Sequence, residues 1–220
     1  MFNEILNLFT RGGWMTIPIL IASACGLTLY IERLWFLTPA NVIPESLQNQ
    51  IRSLVRNGKI QEAMVLSESN ETPFAIIVRK ILEKFGRPYP YLKETAEEAG
   101  RAQVDILEKH VESLSTIIAI TPLMGLLGTV IGMIDVFQVV ADKGVGSPMD
   151  MASGIWEALL STAFGLSVAI VALVGHRHIS SRISRFIFLL EKEALILVDT
   201  LDALSQDDEE KTDGDAHERS

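Results

Sequence analysis

Two threonines, an aspartate and a glutamate stand within two long apolar runs, and their types suit proton handling rather than bond-breaking chemistry. Residues Thr121 to Phe137 read TPLMGLLGTVIGMIDVF, with Thr129 in the middle and Asp135 near the end. Residues Ile155 to Ala172 read IWEALLSTAFGLSVAIVA, with Glu157 and Thr162 inside. A hydroxyl or carboxyl at membrane depth needs a partner, a water or a cavity. Threonine hydroxyls can hydrogen-bond either form of a carboxyl group, but they cannot store a proton near neutral pH. Glu157 is therefore the candidate ionisable group inside a span. Asp135 is expected to end its span at the outer interface.

Other chemistries find little support. Ser161 and Ser167 have no histidine near their level, so an intramembrane hydrolase lacks its base. His176 and His178 are two residues apart and do not share a helix face. No phosphate loop or zinc spacing occurs, so no enzyme, cofactor or metal is expected. The net charge of -9 argues against nucleic acid. Cys25 is the one cysteine, which rules out an intrachain disulfide. Ala22-Ser23-Ala24-Cys25 loosely resembles a lipoprotein cleavage site, but the start of the chain is not basic and the apolar run continues to Ile31.

These polar groups need spans to hold them. The chain has 220 residues, 48% hydrophobic and 21% charged, a mixture that implies apolar spans between water-facing parts. Gly12 to Ile31, Ser113 to Ile134 and Ala158 to Gly175 are uncharged and each about long enough to cross a bilayer. The expected fold is all-α, a polytopic membrane protein with three transmembrane helices, two of them extended into the cytoplasm as long helices. Residues 1–37 form the outer N-terminus and first span, and 38–112 a cytoplasmic helical region. Residues 113–175 hold the second and third spans with a short outer loop. Residues 176–205 form a cytoplasmic helix, and 206–220 a disordered acidic tail.

Lysine and arginine set the orientation. They crowd the 38–112 segment and recur after Gly175 as Arg177, Arg182, Arg185 and Lys192. The N-terminus offers Arg11 and the outer loop Lys143. The N-terminus is thus expected outside and the C-terminus in the cytoplasm. The helix from Leu92 meets no proline until Pro122 and is expected to run straight into the second span. After Gly175 a stripe of Ile179, Ile183, Phe186, Leu190, Leu197, Leu201 and Leu204 needs cover. Either further copies of the chain or its own short helices can supply that cover.

Gly144 to Pro148 marks the tip of an outward hairpin. Thr129 and Thr162 lie about sixteen residues either side of its midpoint, so they are expected at one depth. Asp135 and Glu157 form a layer roughly 8–9 Å further out. Gly125, Gly128 and Gly132 on one helix, and Gly154 and Gly165 on the other, are expected to let the helices pack closely.

At these residues the chain resembles the MotA/TolQ/ExbB proton-channel family. The family's second span looks like APLLGLLGTVxGMIxxF and its third like IAEALxxTAxGLxVAIPA. Three spans resemble the ExbB/TolQ branch. The resemblance covers nearly the whole chain to about Leu204. Val171 stands where the family usually has proline, so no kink is implied there. The resemblance implies a pentamer in the bacterial inner membrane around single-span partners of the ExbD/TolR type. A partner aspartate would titrate at the level of Thr129 and Thr162, with Glu157 above. Proton flow would energise outer-membrane transport or envelope work, with a TonB/TolA-type protein as a further partner. A non-conducting oligomeric scaffold, or a TolQ-like or gliding-type motor subunit, is the alternative.

Overall fold

The breaks between helices fall at prolines, glycines and one histidine. The computed structural model describes residues 13–144 and 148–218. The N-terminal stretch with Arg11 and Gly12, and the hairpin residues Val145 to Ser147, lie outside the described residues. The helices are α1 (Thr16–Phe36), α2 (Pro39–Val42), α3 (Glu45–Arg56), α4 (Ile60–Glu68), α5 (Pro73–Leu82), α6 (Tyr89–Glu108), α7 (Val111–Lys143) and α8 (Pro148–Glu218). No strand occurs among the described residues. The described residues form two compact units, one from those within 13–34 and 110–180, the other from 35–109 and 181–218.

In the second unit, local signals place each helix. Pro44 precedes α3, which ends in a glycine cap at Gly58 with φ +71°. Gly58 N donates to Val55 O and Lys59 N to Leu54 O, the paired bonds that satisfy a helix's last carbonyls. Thr72 caps α5 by accepting from Ala75 N, and Pro73 occupies the first turn, where no N–H is needed. Ile51, Val55, Phe74, Ile77, Val78 and Ile81 are buried. So are Ile183, Phe186, Leu190, Leu197 and Leu201 of α8, while Leu204 is half-buried. Leu197 shares a small cavity lining with Ile51, Val55, Phe74 and Val78. Leu190 shares another with Ile77 of α5 and Ala96, Gly100 and Val104 of α6, so this part of the stripe packs on its own chain and carries no argument for a homo-oligomer.

One ion pair pins this packing. Arg52 Nη2 lies 2.6 Å from Glu193 Oε2, with the glutamate side chain 10% exposed and the arginine 35%. Its half-wet position limits its strength. Arg52→Ala is expected to cost about 1 kcal/mol, and Glu193→Ala a similar amount, with the double variant costing less than the sum. Thermal unfolding of the three variants checks this.

Two sequence expectations change here. The helix from Tyr89 and the second span are separate helices, α6 and α7. Between them His110 adopts φ +66°, a left-handed conformation that costs a non-glycine residue about 1–3 kcal/mol. The compensation is tertiary. His110 Nδ1 lies 3.1 Å from Glu32 Oε2 and 3.3 Å from Arg33 Nη2. Arg33 in turn donates from Nε and Nη2 to the Glu32 carboxylate, both at 2.9 Å. No glycine or proline announces this turn. The second change concerns the acidic tail: the helical backbone of α8 continues through residues 206–218, where the charge run points to disorder.

The first unit turns its apolar side chains outward. Leu123, Val130, Phe137, Leu159, Ile170 and Val174 are all exposed. A water-soluble domain would bury such a set, whereas a bilayer solvates it. Three helices are long and apolar enough to cross a membrane: Thr16–Phe36, and stretches within Val111–Asp142 and Met151–Gln206. The buried set of this unit mixes small or polar groups such as Ala158, Ala169, Thr121 and Ser161 with Ile19, Leu114, Ile117 and Val136.

Candidate functional site

The absence of side chains at four glycines sets the distance between α7 and α8. A Cβ built on Gly125 would sit 2.9 Å from Thr162 Cα and 3.0 Å from Ser161 O. One on Gly165 would sit 2.5 Å from Thr121 O and 3.1 Å from Gly125 Cα. On Gly132 it would meet Ala158 Cβ at 2.8 Å, and on Gly128 it would overlap the Ser161 side chain. Gly154 faces Val136. At Gly125 and Gly165 the obstacle is backbone, which cannot rotate away. Helices this close can exchange hydrogen bonds directly between side chain and opposing backbone.

They do so at one carbonyl. Thr162 Oγ1 donates to Gly125 O at 2.8 Å, across from α8 to α7. Ser161 Oγ reaches the same oxygen at 3.2 Å, and also Ala158 O of its own helix at 2.8 Å. Thr129 Oγ1 donates to Leu126 O at 2.6 Å, within its own helix. Thr121 Oγ1 does likewise to Ile117 O at 2.9 Å. A carbonyl only accepts, so every one of these hydroxyl protons is committed to a backbone oxygen. What Thr129 and Thr162 have left to offer is lone pairs.

The depths are close to the sequence expectation but not equal. Thr162 reaches Gly125, four residues before Thr129, so it sits about 6 Å further along α7 from the connection between α7 and α8. Counting from the loop gives depth along each rod, yet the glycine contacts fix the true register. The azimuth also differs between residues. Glu157 lies four residues from Ser161 and shares its face, not that of Thr162. The Glu157 carboxylate lies against Gly13, where any side chain would collide with it. A cavity of about 20 Å³, the size of one water, is lined by Gly13, Met15, Gly128, Asp135, Glu157 and Ser161.

Ser161, read from the sequence as a hydroxyl with no base beside it, is the residue that joins these groups. It is 1% exposed and touches both the Glu157 cavity and the hydroxyl cluster. Its signal was present in the spacing: it sits next to Thr162 and one turn from Glu157. Depth alone did not reveal it. A larger cavity, about 590 Å³, lies elsewhere, among apolar side chains of α1 and α8 such as Leu20, Leu27, Val168 and Val171.

A match to the MotA/TolQ/ExbB proton channel family covers residues 69–192. A protein of Synechocystis sp. named as ExbB-like 1 is 34% identical over 185 residues, covering 79% of this chain and 70% of its own. The biopolymer transport protein exbB1 of Vibrio cholerae is 29% identical, covering 81% of this chain and 80% of its own. The Tol-Pal system protein TolQ of Haemophilus influenzae is 34% identical over a shorter stretch, 39% of this chain and 38% of its own. The chain belongs to the MotA/TolQ/ExbB proton channel family, in its ExbB/TolQ branch.

Proposed function

We propose that this protein is an inner-membrane stator subunit whose α7 and α8 form one wall of a proton path. The observation that carries the reading is the pair of threonines at membrane depth, Thr129 and Thr162, on two helices held in contact by glycines. Neither hydroxyl stores a proton. The titrating group belongs to a second chain, a single-span protein of the ExbD/TolR type with an aspartate in its span. The aspartate takes up and releases a proton as it moves past these hydroxyls, and copies of this chain, five by family resemblance, surround the partner helices. Glu157 lies toward the outer end of α8 on the Ser161 face, against Gly13 and a cavity that fits one water, so it meets the threonine level through Ser161 rather than replacing the partner's carboxyl. The N-terminus faces outward and the Lys- and Arg-rich segment inward. The work driven is outer-membrane transport or envelope movement, passed on through a TonB/TolA-type protein.

Family membership supports a proton-channel role. Purification of the chain from native membranes in mild detergent, followed by mass spectrometry of its companions, tests the partner. A co-purifying single-span protein with an intramembrane aspartate is expected. A homo-oligomer with no such companion would support the non-conducting scaffold instead.

A further inference from the structure

We propose that Ser161 is a positioning residue that sets which way the Thr162 hydroxyl points, and so which protonation state of a carboxyl group this wall accepts. The inference rests on the proton-path reading above. Its starting point is the shared acceptor. Gly125 O has two lone pairs. Inside the continuous helix α7 one of them belongs to the helical ladder. Thr162 Oγ1 at 2.8 Å and Ser161 Oγ at 3.2 Å compete for the other. Ser161 has a single proton and a second acceptor at hand, Ala158 O at 2.8 Å. Its hydroxyl can therefore swing between Ala158 O and Gly125 O with little movement of the oxygen.

Each position has a chemical consequence. With the Ser161 proton on Ala158 O, Thr162 donates to Gly125 O and presents only lone pairs outward. Lone pairs accept from a protonated carboxyl O–H and repel a carboxylate. With the Ser161 proton on Gly125 O, that carbonyl is satisfied without Thr162. Thr162 is then free to turn its own proton outward and donate to a carboxylate. The wall thus alternates between acid-accepting and carboxylate-accepting states without leaving a buried carbonyl short of a donor. Thr129, whose proton is committed to Leu126 O at 2.6 Å, has no neighbouring hydroxyl to relieve it among the bonds found here.

Among the described residues, the ionisable groups nearest Ser161 line the small cavity that it shares. Glu157 on α8 and Asp135 on α7 are the nearest on their helices, both toward the outer end. On α1 the titratable side chains are Cys25, Tyr30, Glu32 and Arg33, all toward its inner end.

The test is Ser161→Ala in the complex that co-purifies with the aspartate-bearing single-span chain. Alanine keeps the close contact with Gly128 and removes only the competing donor. Thr162 is then held in its acid-accepting state. The infrared band of the protonated carboxyl should persist to higher pH, its midpoint rising by between about a third of a unit and one unit, the effect of losing one ordinary hydrogen bond. Ser161→Cys, a weaker donor, should fall between the two. Thermal stability and oligomer size should be unchanged. An unchanged midpoint in Ser161→Ala, with Thr162→Val still shifting it, overturns the role of Ser161 alone. No carboxyl response to Thr162→Val overturns the underlying proton-path reading as well.

Discussion

Thr162→Ala is expected to abolish proton-driven work while leaving the oligomer assembled. The Thr162 hydroxyl is the one side-chain donor on α8 that bonds across to Gly125 O at full strength, 2.8 Å. Its loss leaves Gly125 O with the ladder bond and with Ser161 at 3.2 Å, so the fold loses at most about 1 kcal/mol. The path loses much more. A carboxyl group passing an alanine surface meets no donor or acceptor, and burying an unpaired carboxylate is far costlier than losing one neutral hydrogen bond. Proton flux should fall by at least tenfold, the equivalent of about 1.4 kcal/mol on the limiting barrier. Thr129→Val should act in the same direction and more weakly, since its hydroxyl bonds only within its own helix. Flux across vesicle membranes and size-exclusion profiles of the same preparations check both halves of the expectation.

The second large effect concerns packing. A methyl group at Gly165 would sit 2.5 Å from Thr121 O and 3.1 Å from Gly125 Cα. Both obstacles are backbone, so the helices themselves must move apart. Overpacking of this kind costs about 1–3 kcal/mol for one added methyl. The displacement also pulls Thr162 away from Gly125 O. Gly165→Ala should therefore lower the thermal unfolding midpoint and reduce flux together, and Gly165→Val should fail to assemble. Gly26 on α1 supplies the contrast. A Cβ there meets Ile117 and Leu114 side chains at 3.6–3.8 Å, ordinary contact distances. Gly26→Ala should be neutral or stabilising by up to about 1 kcal/mol, because alanine favours the helix. Unfolding midpoints for the three variants separate close-packing glycines from permissive ones. Equal losses at Gly26 and Gly165 would contradict the register described here.

Much of this arrangement was legible from residue spacing. Three apolar runs mark the three spans, and Pro44, Gly58 and Pro73 stand at helix breaks around α3 to α5. What spacing does not carry is azimuth and tertiary compensation. Counting from the loop put Thr129 and Thr162 level, yet the glycine contacts place Thr162 a turn away at Gly125. The same count stacked Glu157 above the threonines, although its helix face is that of Ser161 and its carboxylate lies against Gly13. The break at His110 was not visible either, because the left-handed turn is held by Glu32 and Arg33, some seventy-eight residues away in the chain. The α8 stripe was legible as apolar, but whether its cover came from this chain or another copy needed the packing of Ile51, Val55, Phe74 and Val78 to decide.

The central claim is that α7 and α8 line a proton path whose titrating carboxyl lies in another chain. Proton flux into vesicles holding the purified oligomer, measured with and without its single-span companion, tests this most directly. Flux is predicted only when the companion is present, and it should vanish when the companion's intramembrane aspartate is changed to asparagine. Equal flux from this chain alone, or undiminished flux with the asparagine companion, would contradict it.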